Sequence, residues 1–147
     1  IKLIFAGSLN AINVPSLIKE QNLSKETIIT GYIEDDLYRG ILSSSDIIVN
    51  LRYPTMGESS ATLCEALSYG KATIVSNIGP YKEYPDNVCW KVDMGDYEVP
   101  MLVAFMERLL CDKNLREVLG NNGKAYANNV LNIERVVLDY IEILDKD

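Results

Sequence analysis

The chain has 147 residues, which fits one globular domain with a single sizeable hydrophobic core. Apolar residues make up 48% and charged residues 24%, so a disordered chain and a coiled coil are both poor fits. The formal net charge of −7 argues against a nucleic-acid-binding protein, because such proteins usually present a basic surface. No apolar run has the length of about 18 residues that a membrane span requires, and the expected location is the cytoplasm.

The sequence contains no histidine. This excludes nucleophilic catalysis of the Ser-His-Asp and Cys-His types and removes the commonest metal ligand. The cysteines Cys64, Cys89 and Cys111 lie far apart and lack metal-binding spacing, so we interpret them as reduced, buried thiols. Any chemistry must therefore use carboxylates, hydroxyls, lysine, arginine, tyrosine or backbone amides, and neither a metal nor an organic cofactor is expected.

In chain order, short apolar runs alternate with helical patterns. A strand at 1–6, expected to be buried on both faces, is followed by a helix at 13–22 with Asn13 as its cap. Further strands are predicted at 27–30, 46–50, 72–76 and 88–92. Further helices are predicted at 34–44 and at about 60–69, the latter capped by Ser59 or Ser60, and then at 99–111, 114–129 and 132–145.

This alternation predicts an α/β fold with a Rossmann-like, doubly wound parallel sheet and a helical C-terminal tail. Ligands of such sheets bind beyond the carboxyl ends of the strands, which directs attention to the loops after residues 6, 30, 50 and 76. The stretch GESSATLCEALSYGKATIVSNIG, residues 57–79, begins in the third of these loops.

The start of the helix predicted at 60–69 has the composition of an anion site. Gly57 and the small residues Ser59, Ser60 and Ala61 would leave main-chain N–H groups pointing outward, with the positive end of the helix dipole behind them. The alternative is that the serines only cap a surface helix.

Glu65 is the carboxylate candidate on this helix. Leu63, Ala66 and Leu67 are expected to form its buried stripe, which leaves Glu65 on another face. If the helix start points into a cleft, the Glu65 carboxylate could accept hydrogen bonds from both vicinal hydroxyls of a ribose. A solvated surface charge is the simpler alternative.

Arg52 is a weaker candidate, because its planar guanidinium could bind phosphate or could equally form a surface ion pair. Tyr53 and Lys82 are weaker candidates too. The aromatic residues Tyr81, Tyr84 and Trp90 are expected to pack the loop after the fourth strand and not to stack on a base.

The segment GYIEDDLYRGILSSSDIIVNLRYPTMGESSATLCEALSYGKATIVSNIGPYKEYPD resembles the donor-binding, C-terminal half of group 1 glycosyltransferases of the GT-B fold. Members of that family share the pattern E-G-F-G-x-x-x-x-E-A-x-x-x-G-x-P-V-I, followed by a glycine and a further glutamate. The matching pieces here are 46–50, Glu65-Ala66, Gly70-Lys71-Ala72, 74–76, Gly79 and Glu83. The tail LLCDKNLREVLGNNGKAYA is also similar to the family, so the resemblance covers essentially the whole chain.

The chain departs from the family pattern at the first glutamate. The two glutamates of the pattern are usually separated by seven residues, whereas Glu58 and Glu65 are separated by six. Counting back from Glu65 places Gly57 at the first position, with Glu58 adjacent. The sequence resembles a subgroup with a P-T-x-G-E-[ST]-S turn, in which Glu58 could substitute through a shifted loop.

The resemblance implies retaining transfer of a sugar from a nucleoside-diphosphate sugar, such as a UDP- or GDP-sugar, to an acceptor hydroxyl. It implies Glu58 as the catalytic residue and Glu65 as the ribose ligand. The other donor-binding residues that it implies are Gly57, Ser59, Ser60, Ala61, Thr62 and Arg52, with the Ser60 and Ala61 amides on the diphosphate. By analogy only, envelope, capsule or lipopolysaccharide synthesis would suit a bacterial member, with peripheral association of the full-length enzyme at the inner face of the membrane.

By the same resemblance, residues 1–147 form a single donor-binding domain that lacks its first strand-helix unit and the N-terminal acceptor domain. The family usually supplies an arginine and a lysine from that unit, so no turnover is expected from this chain alone. In the strand order 3-2-1-4-5-6 the absent strand is central. We therefore expect a break in the sheet, with rearrangement, self-association or a separately supplied segment.

Three other interpretations stay open. A nucleotide-sugar 2-epimerase has a similar fold, although the missing histidine counts against it. A flavodoxin-like or receiver-like interaction domain would be non-enzymatic, but a receiver needs acidic residues at strand ends where this chain has Gly7, Gly31 and Asn50. The third is a non-catalytic donor domain, suggested by Gly57, which would bind nucleotide without turnover.

Overall fold

The computed structural model of the chain describes residues 1–8 and 13–145. Its strands are β1 (Leu3–Ala6), β2 (Thr27–Gly31), β3 (Ile47–Asn50), β4 (Ala72–Ser76) and β5 (Trp90–Val92). Its helices are α1 (Val14–Glu20), α2 (Asp35–Ser44), α3 (Ala61–Ser68), α4 (Glu98–Cys111), α5 (Lys113–Val130) and α6 (Ile133–Leu144). The ends of the predicted elements differ from these by at most two residues, whereas a 3-10 helix at Gly79–Glu83 was not predicted.

The strands pair in parallel in two separate sheets, β1 with β2, and β3 and β5 on either side of β4. The sheets belong to two compact units, Ile1–Ile41 and Leu42–Asp147. The predicted α/β class and the parallel pairing of strands are confirmed.

Strand β1 is more exposed than the sequence predicted. Leu3 and Ile4 are 40% and 38% exposed, so the expectation of a strand buried on both faces is wrong. The physical reason is that β1 has one strand neighbour and that α1 contributes no buried side chain to cover it. Helix α1 itself begins as predicted, since the Asn13 side chain accepts a hydrogen bond from the Ser16 amide at 3.3 Å.

The core of the larger unit lies on the two faces of β4, in which every residue is buried. Because neighbouring side chains of a strand point to opposite faces, Val75 and Ile74 join different clusters. Val75 clusters with Leu63, Leu67, Tyr81, Val88, Cys89 and Ala127. Ile74 clusters with Ala72, Val92, Leu109 and Leu119. Strand β4 is thus fixed from both sides, and its carboxyl end is a rigid base for the loops beside it.

The cysteines differ in burial. Cys89 is buried, Cys64 is half-buried and Cys111 is exposed, so the interpretation of all three as buried thiols is wrong for Cys111 and only partly right for Cys64. Cys111 is the last residue of α4, where the helix end meets solvent. Burial raises the pKa of the Cys89 thiol to about 11, which keeps it protonated near neutral pH.

Side-chain caps also start the two last helices. The Asp112 carboxylate accepts a hydrogen bond from the Leu115 amide at 2.9 Å, and the Asn132 side chain accepts one from the Glu134 amide at 2.8 Å.

In the part of the chain that the structure describes, no helix combines the length and the apolar composition that crossing a membrane requires.

Candidate functional site

The connection between β3 and α3, residues 51–60, is named the site loop. It reaches the N-terminus of α3 at Ser60, which is 2% exposed. The Ser60 hydroxyl accepts a hydrogen bond from the Leu63 amide at 3.2 Å, so Ser60 is the N-cap of the helix. Ser59, the other residue considered for this role, is exposed.

Asn50, the last residue of β3, binds the side chain of this cap. Its side-chain Nδ2 donates a hydrogen bond to Ser60 Oγ at 2.9 Å, and the residue is only 9% exposed. Asn50 is predicted from the sequence only as a strand end, and its contact with the site is not predicted. A signal was present, because a polar residue that closes the apolar run DIIVN needs a hydrogen-bond partner if it is buried.

Ser76 holds the other end of the site loop. It is the last residue of β4, is 1% exposed, and its hydroxyl accepts a hydrogen bond from the Arg52 amide at 3.0 Å. Asn50 and Ser76 end two adjacent parallel strands, so both ends of the loop are tied to one edge of the sheet. The sheet therefore sets where the loop begins and ends.

Glu58 folds back onto the site loop. Its Oε2 accepts hydrogen bonds from the Met56 amide at 2.7 Å and from the Thr55 hydroxyl at 3.2 Å. The main-chain amides of Glu58 itself and of Met56, with smaller contributions from Thr55 and Arg52, hold the pKa of this carboxyl below its ordinary value. Glu58 is therefore an ionised, exposed carboxylate near neutral pH.

Gly57 adopts a backbone conformation that favours glycine. Its φ of 90° lies in the region that side chains with a β-carbon rarely adopt. This is the position at which the family pattern would place its first glutamate. A glutamate with this backbone would be strained, so the site loop of this chain follows a path that suits glycine at 57 and places the carboxylate at 58.

The first turn of α3 presents main-chain donors. The first bond of the regular helical pattern runs from the Cys64 amide to the Ser60 carbonyl at 3.0 Å, and the Leu63 amide is taken by the Ser60 hydroxyl. The amides of Ala61 and Thr62 precede these bonds and, within the described residues, lie where a helix has its unsatisfied N–H groups. An anion placed there would accept these bonds and would meet the positive end of the helix dipole.

Glu65 lies on the second turn of α3 and is half-buried. The predicted buried stripe is confirmed, since Leu63, Ala66 and Leu67 are each 0% exposed. Glu65 therefore projects from a different face of the helix, between the core and solvent. The helix places its carboxylate one turn beyond the amides of Ala61 and Thr62.

The weaker candidates are more scattered. The Arg52 side chain is half-buried at the start of the site loop, whereas Tyr53 and Lys82 are exposed. The aromatic residues pack as predicted. Tyr81 is buried in the core. The ring centroids of Tyr84 and Tyr126 lie 5.5 Å apart, and those of Trp90 and Phe105 lie 4.9 Å apart.

Among residues 1–8 and 13–145, no group of three or more Asp, Glu or Cys side chains lies together in a way that could hold a metal ion.

Comparison with solved structures gives proteins of the same fold at low identity. Sucrose-phosphate synthase (tll1590) from Thermosynechococcus elongatus is 21% identical with a TM-score of 0.77, and the match covers 99% of this chain and 38% of that one. The Anabaena protein Alr3699/HepE, solved in complex with UDP, is 18% identical with a TM-score of 0.80, covering 100% of this chain and 41% of that one. This chain therefore spans about two fifths of the length of these two structures.

A further match is the C-terminal domain of a glycosyl transferase group 1 family protein (LpcC) from Francisella tularensis, at 20% identity and a TM-score of 0.68. It covers 82% of this chain and 61% of that one. No curated protein matches the sequence. The sequence model of the family described as glycosyl transferases group 1 matches residues 1–126. Because that match covers most of the sequence, the chain belongs to the group 1 glycosyl transferases.

Proposed function

We propose that this chain binds a nucleoside-diphosphate sugar and forms the donor-binding part of a glycosyltransferase that transfers the sugar, with retention, to an acceptor hydroxyl. The observation that carries the proposal is the N-terminus of α3, capped by Ser60 beside the carboxyl end of a parallel sheet. The Anabaena protein of the same fold was solved in complex with UDP, which makes a uridine nucleotide the first ligand to test.

The diphosphate would lie at the first turn of α3. The main-chain amides of Ser60, Ala61 and Thr62 would donate hydrogen bonds to the diphosphate and stabilise the negative charge that grows on it as the sugar leaves. Hydrogen-bond donors that are held in place before the reaction stabilise such charge without having to reorganise. This electrostatic stabilisation is usually the largest single contribution to the rate enhancement of an enzyme. The small residues Gly57 and Ser59 leave room for the phosphates to approach the backbone.

Glu65 would bind the ribose. A carboxylate one turn beyond the phosphate-binding amides can accept hydrogen bonds from two vicinal hydroxyls. Its half-buried position on α3 supports this role, because the helix fixes its backbone and the buried stripe of Leu63 and Ala66 fixes the rotation of the helix.

Glu58 and Arg52 would act nearer the transferred group. The lowered pKa of Glu58 keeps a negative charge on the site loop, where it could stabilise positive charge at the anomeric carbon. Arg52 would supply a planar donor fork to phosphate. The proposal needs no metal or organic cofactor, and it assigns acceptor binding to an N-terminal domain in the protein that carries this chain.

A second candidate is a donor-binding domain without catalytic turnover. The observation that favours it is the engagement of Glu58 Oε2 by the Met56 amide and the Thr55 hydroxyl, which ties this carboxylate to its own loop. Such a domain would bind the same nucleotide. Assay of the protein that carries this chain with a sugar nucleotide of the matching base separates the candidates, because binding without sugar transfer supports only the second.

Calorimetric titration of the protein that carries this chain with UDP, GDP and ADP tests nucleotide binding. Saturable binding of one of them is expected. Glu65→Ala should weaken it at least about tenfold, or about 1.4 kcal/mol. The matched control is Glu107→Ala, which removes an exposed glutamate from α4 and should leave the affinity unchanged. No binding of any of the three by a folded sample, or equal effects of the two substitutions, would contradict the proposal.

A further inference from the structure

Two buried polar side chains meet directly beneath the start of α3. Asn50 and Ser60 are 9% and 2% exposed, and Asn50 Nδ2 lies 2.9 Å from Ser60 Oγ. Asn50 is the last residue of β3, whose register on the buried strand β4 is fixed by parallel pairing. The amide group of Asn50 therefore has a rigid origin in the sheet.

The Ser60 hydroxyl accepts two hydrogen bonds at once. One comes from Asn50 Nδ2 at 2.9 Å and the other from the Leu63 amide at 3.2 Å. These two donors fix the side-chain rotamer of Ser60 and, with it, the extended backbone that Ser60 adopts before the helix (φ −109°, ψ 112°). The next two residues are Ala61 and Thr62, so their amides take their direction from this arrangement.

We propose that Asn50 is a positioning residue of the donor site, which acts through Ser60 to aim the first-turn amides of α3 at the diphosphate. This inference rests on the proposed function. Asn50 itself does not touch the nucleotide in this account. Without its donor, the Ser60 hydroxyl keeps the Leu63 bond but loses its link to the sheet, and the helix start gains freedom that nucleotide binding must then remove.

For the same variants, the first test measures the urea midpoint and the affinity for UDP, or for GDP or ADP if the unsubstituted protein binds that nucleotide instead. Asn50→Leu keeps the approximate volume and removes the donor, and it should weaken UDP binding by about tenfold. The control is Thr73→Val, which removes a hydrogen bond of another buried polar residue at the opposite end of the sheet, that of Thr73 Oγ1 to the Lys71 carbonyl at 2.9 Å. Thr73→Val should lower the midpoint and leave the UDP affinity unchanged.

The second test is a double-mutant cycle. If Asn50 acts through Ser60, Asn50→Leu should cost no further affinity in a Ser60→Ala background, so the two losses should not add. Additive losses would overturn the inference, because they would mean that Asn50 influences the nucleotide by another route. If Asn50→Leu does not fold, Asn50→Ser decides instead, since its shorter hydroxyl cannot span the distance to Ser60.

The outcomes separate this inference from the proposed function. UDP binding that is sensitive to Glu65→Ala but unchanged by Asn50→Leu would overturn the role of Asn50 and leave the donor site intact. Absence of binding by the unsubstituted protein to UDP, GDP and ADP would overturn both. A loss of affinity in Asn50→Leu matched by an equal loss in Thr73→Val would also overturn the inference, since it would reflect general loosening of the sheet.

Discussion

Gly79 lies against the side chain of Thr55. A β-carbon added to Gly79 would lie 2.8 Å from Thr55 Cγ2, closer than such atoms pack, and 3.2 Å from Thr55 Oγ1, which is a tight contact. Thr55 belongs to the site loop, and its hydroxyl donates to Glu58 and accepts from the Gly57 amide. The glycine that opens the 3-10 helix after β4 therefore leaves room for the side chain that orders the middle of the site loop.

Gly79→Ala should displace the site loop and destabilise the protein by about 1–3 kcal/mol. The backbone also contributes, since φ is +52° at this position. Urea unfolding measures the loss. Thr55→Ser is the matched companion, because it removes Cγ2 and keeps the hydroxyl, so Gly79→Ala should cost less in the Thr55→Ser background. An equal cost in both backgrounds would show that the contact with Thr55 does not limit the site.

The fold could be predicted largely because its signals are local. Apolar runs of strand length mark the strands, and residues such as Asn13 and Ser60 mark helix starts through their own side chains. The exposure of β1 could not be predicted in this way. The run IKLIFA indicates a strand, but its burial depends on which elements cover it, and that is a property of tertiary structure.

The candidate site could be predicted only in part. Ser60 and Glu65 follow from the start and the period of one helix. The bonds that tie the two ends of the site loop to the sheet, Asn50 to Ser60 and Arg52 to Ser76, join residues 10 and 24 positions apart. Such pairs depend on the order and register of neighbouring strands, so local composition does not indicate them.

Gly120 of α5 lies against the backbone of Gly70, just after the end of α3. A β-carbon at Gly120 would lie 2.0 Å from the Gly70 carbonyl oxygen and 2.8 Å from the Gly70 carbonyl carbon. Both are backbone atoms, so removing this overlap requires α5 and the end of α3 to move apart. Gly120→Ala should therefore destabilise the protein by about 3 kcal/mol or more, measured by urea unfolding followed by circular dichroism.

The control for this substitution is Gly40→Ala. Gly40 lies in α2 and is exposed, and among the described residues no heavy atom beyond the neighbouring backbone of its own helix lies within 4 Å of an added β-carbon. Because alanine restricts the unfolded chain more than glycine does, Gly40→Ala should stabilise its helix by about 0.5–1 kcal/mol. If both substitutions had the same small effect, the close contact between Gly120 and Gly70 would not exist in solution.

The hydrogen bonds of Glu58 predict a pH dependence of the site loop. They hold the pKa of the carboxyl below its ordinary value of 4.5. The stabilisation of the loop is therefore complete above pH 4.5 and is lost as the pH falls through the lowered pKa. An NMR titration should show the Met56 amide proton moving with an apparent pKa below 4.5, and this transition should disappear in Glu58→Gln. An apparent pKa at or above the ordinary value would contradict the hydrogen-bonded loop.

The burial of the cysteines predicts the order in which they react with iodoacetamide. Cys111 is exposed and should be modified first, Cys64 is half-buried and should follow, and Cys89 should react only as the protein unfolds. Burial raises the pKa of Cys89 to about 11, so the reactive thiolate is scarce near neutral pH even if the reagent reaches it. Mass spectrometry of peptides after timed labelling measures the order, and Cys111→Ser should abolish the fast phase. Labelling of Cys89 in the folded protein as fast as that of Cys111 would mean that the cluster of buried residues that contains Cys89, Val75 and Leu63 opens readily.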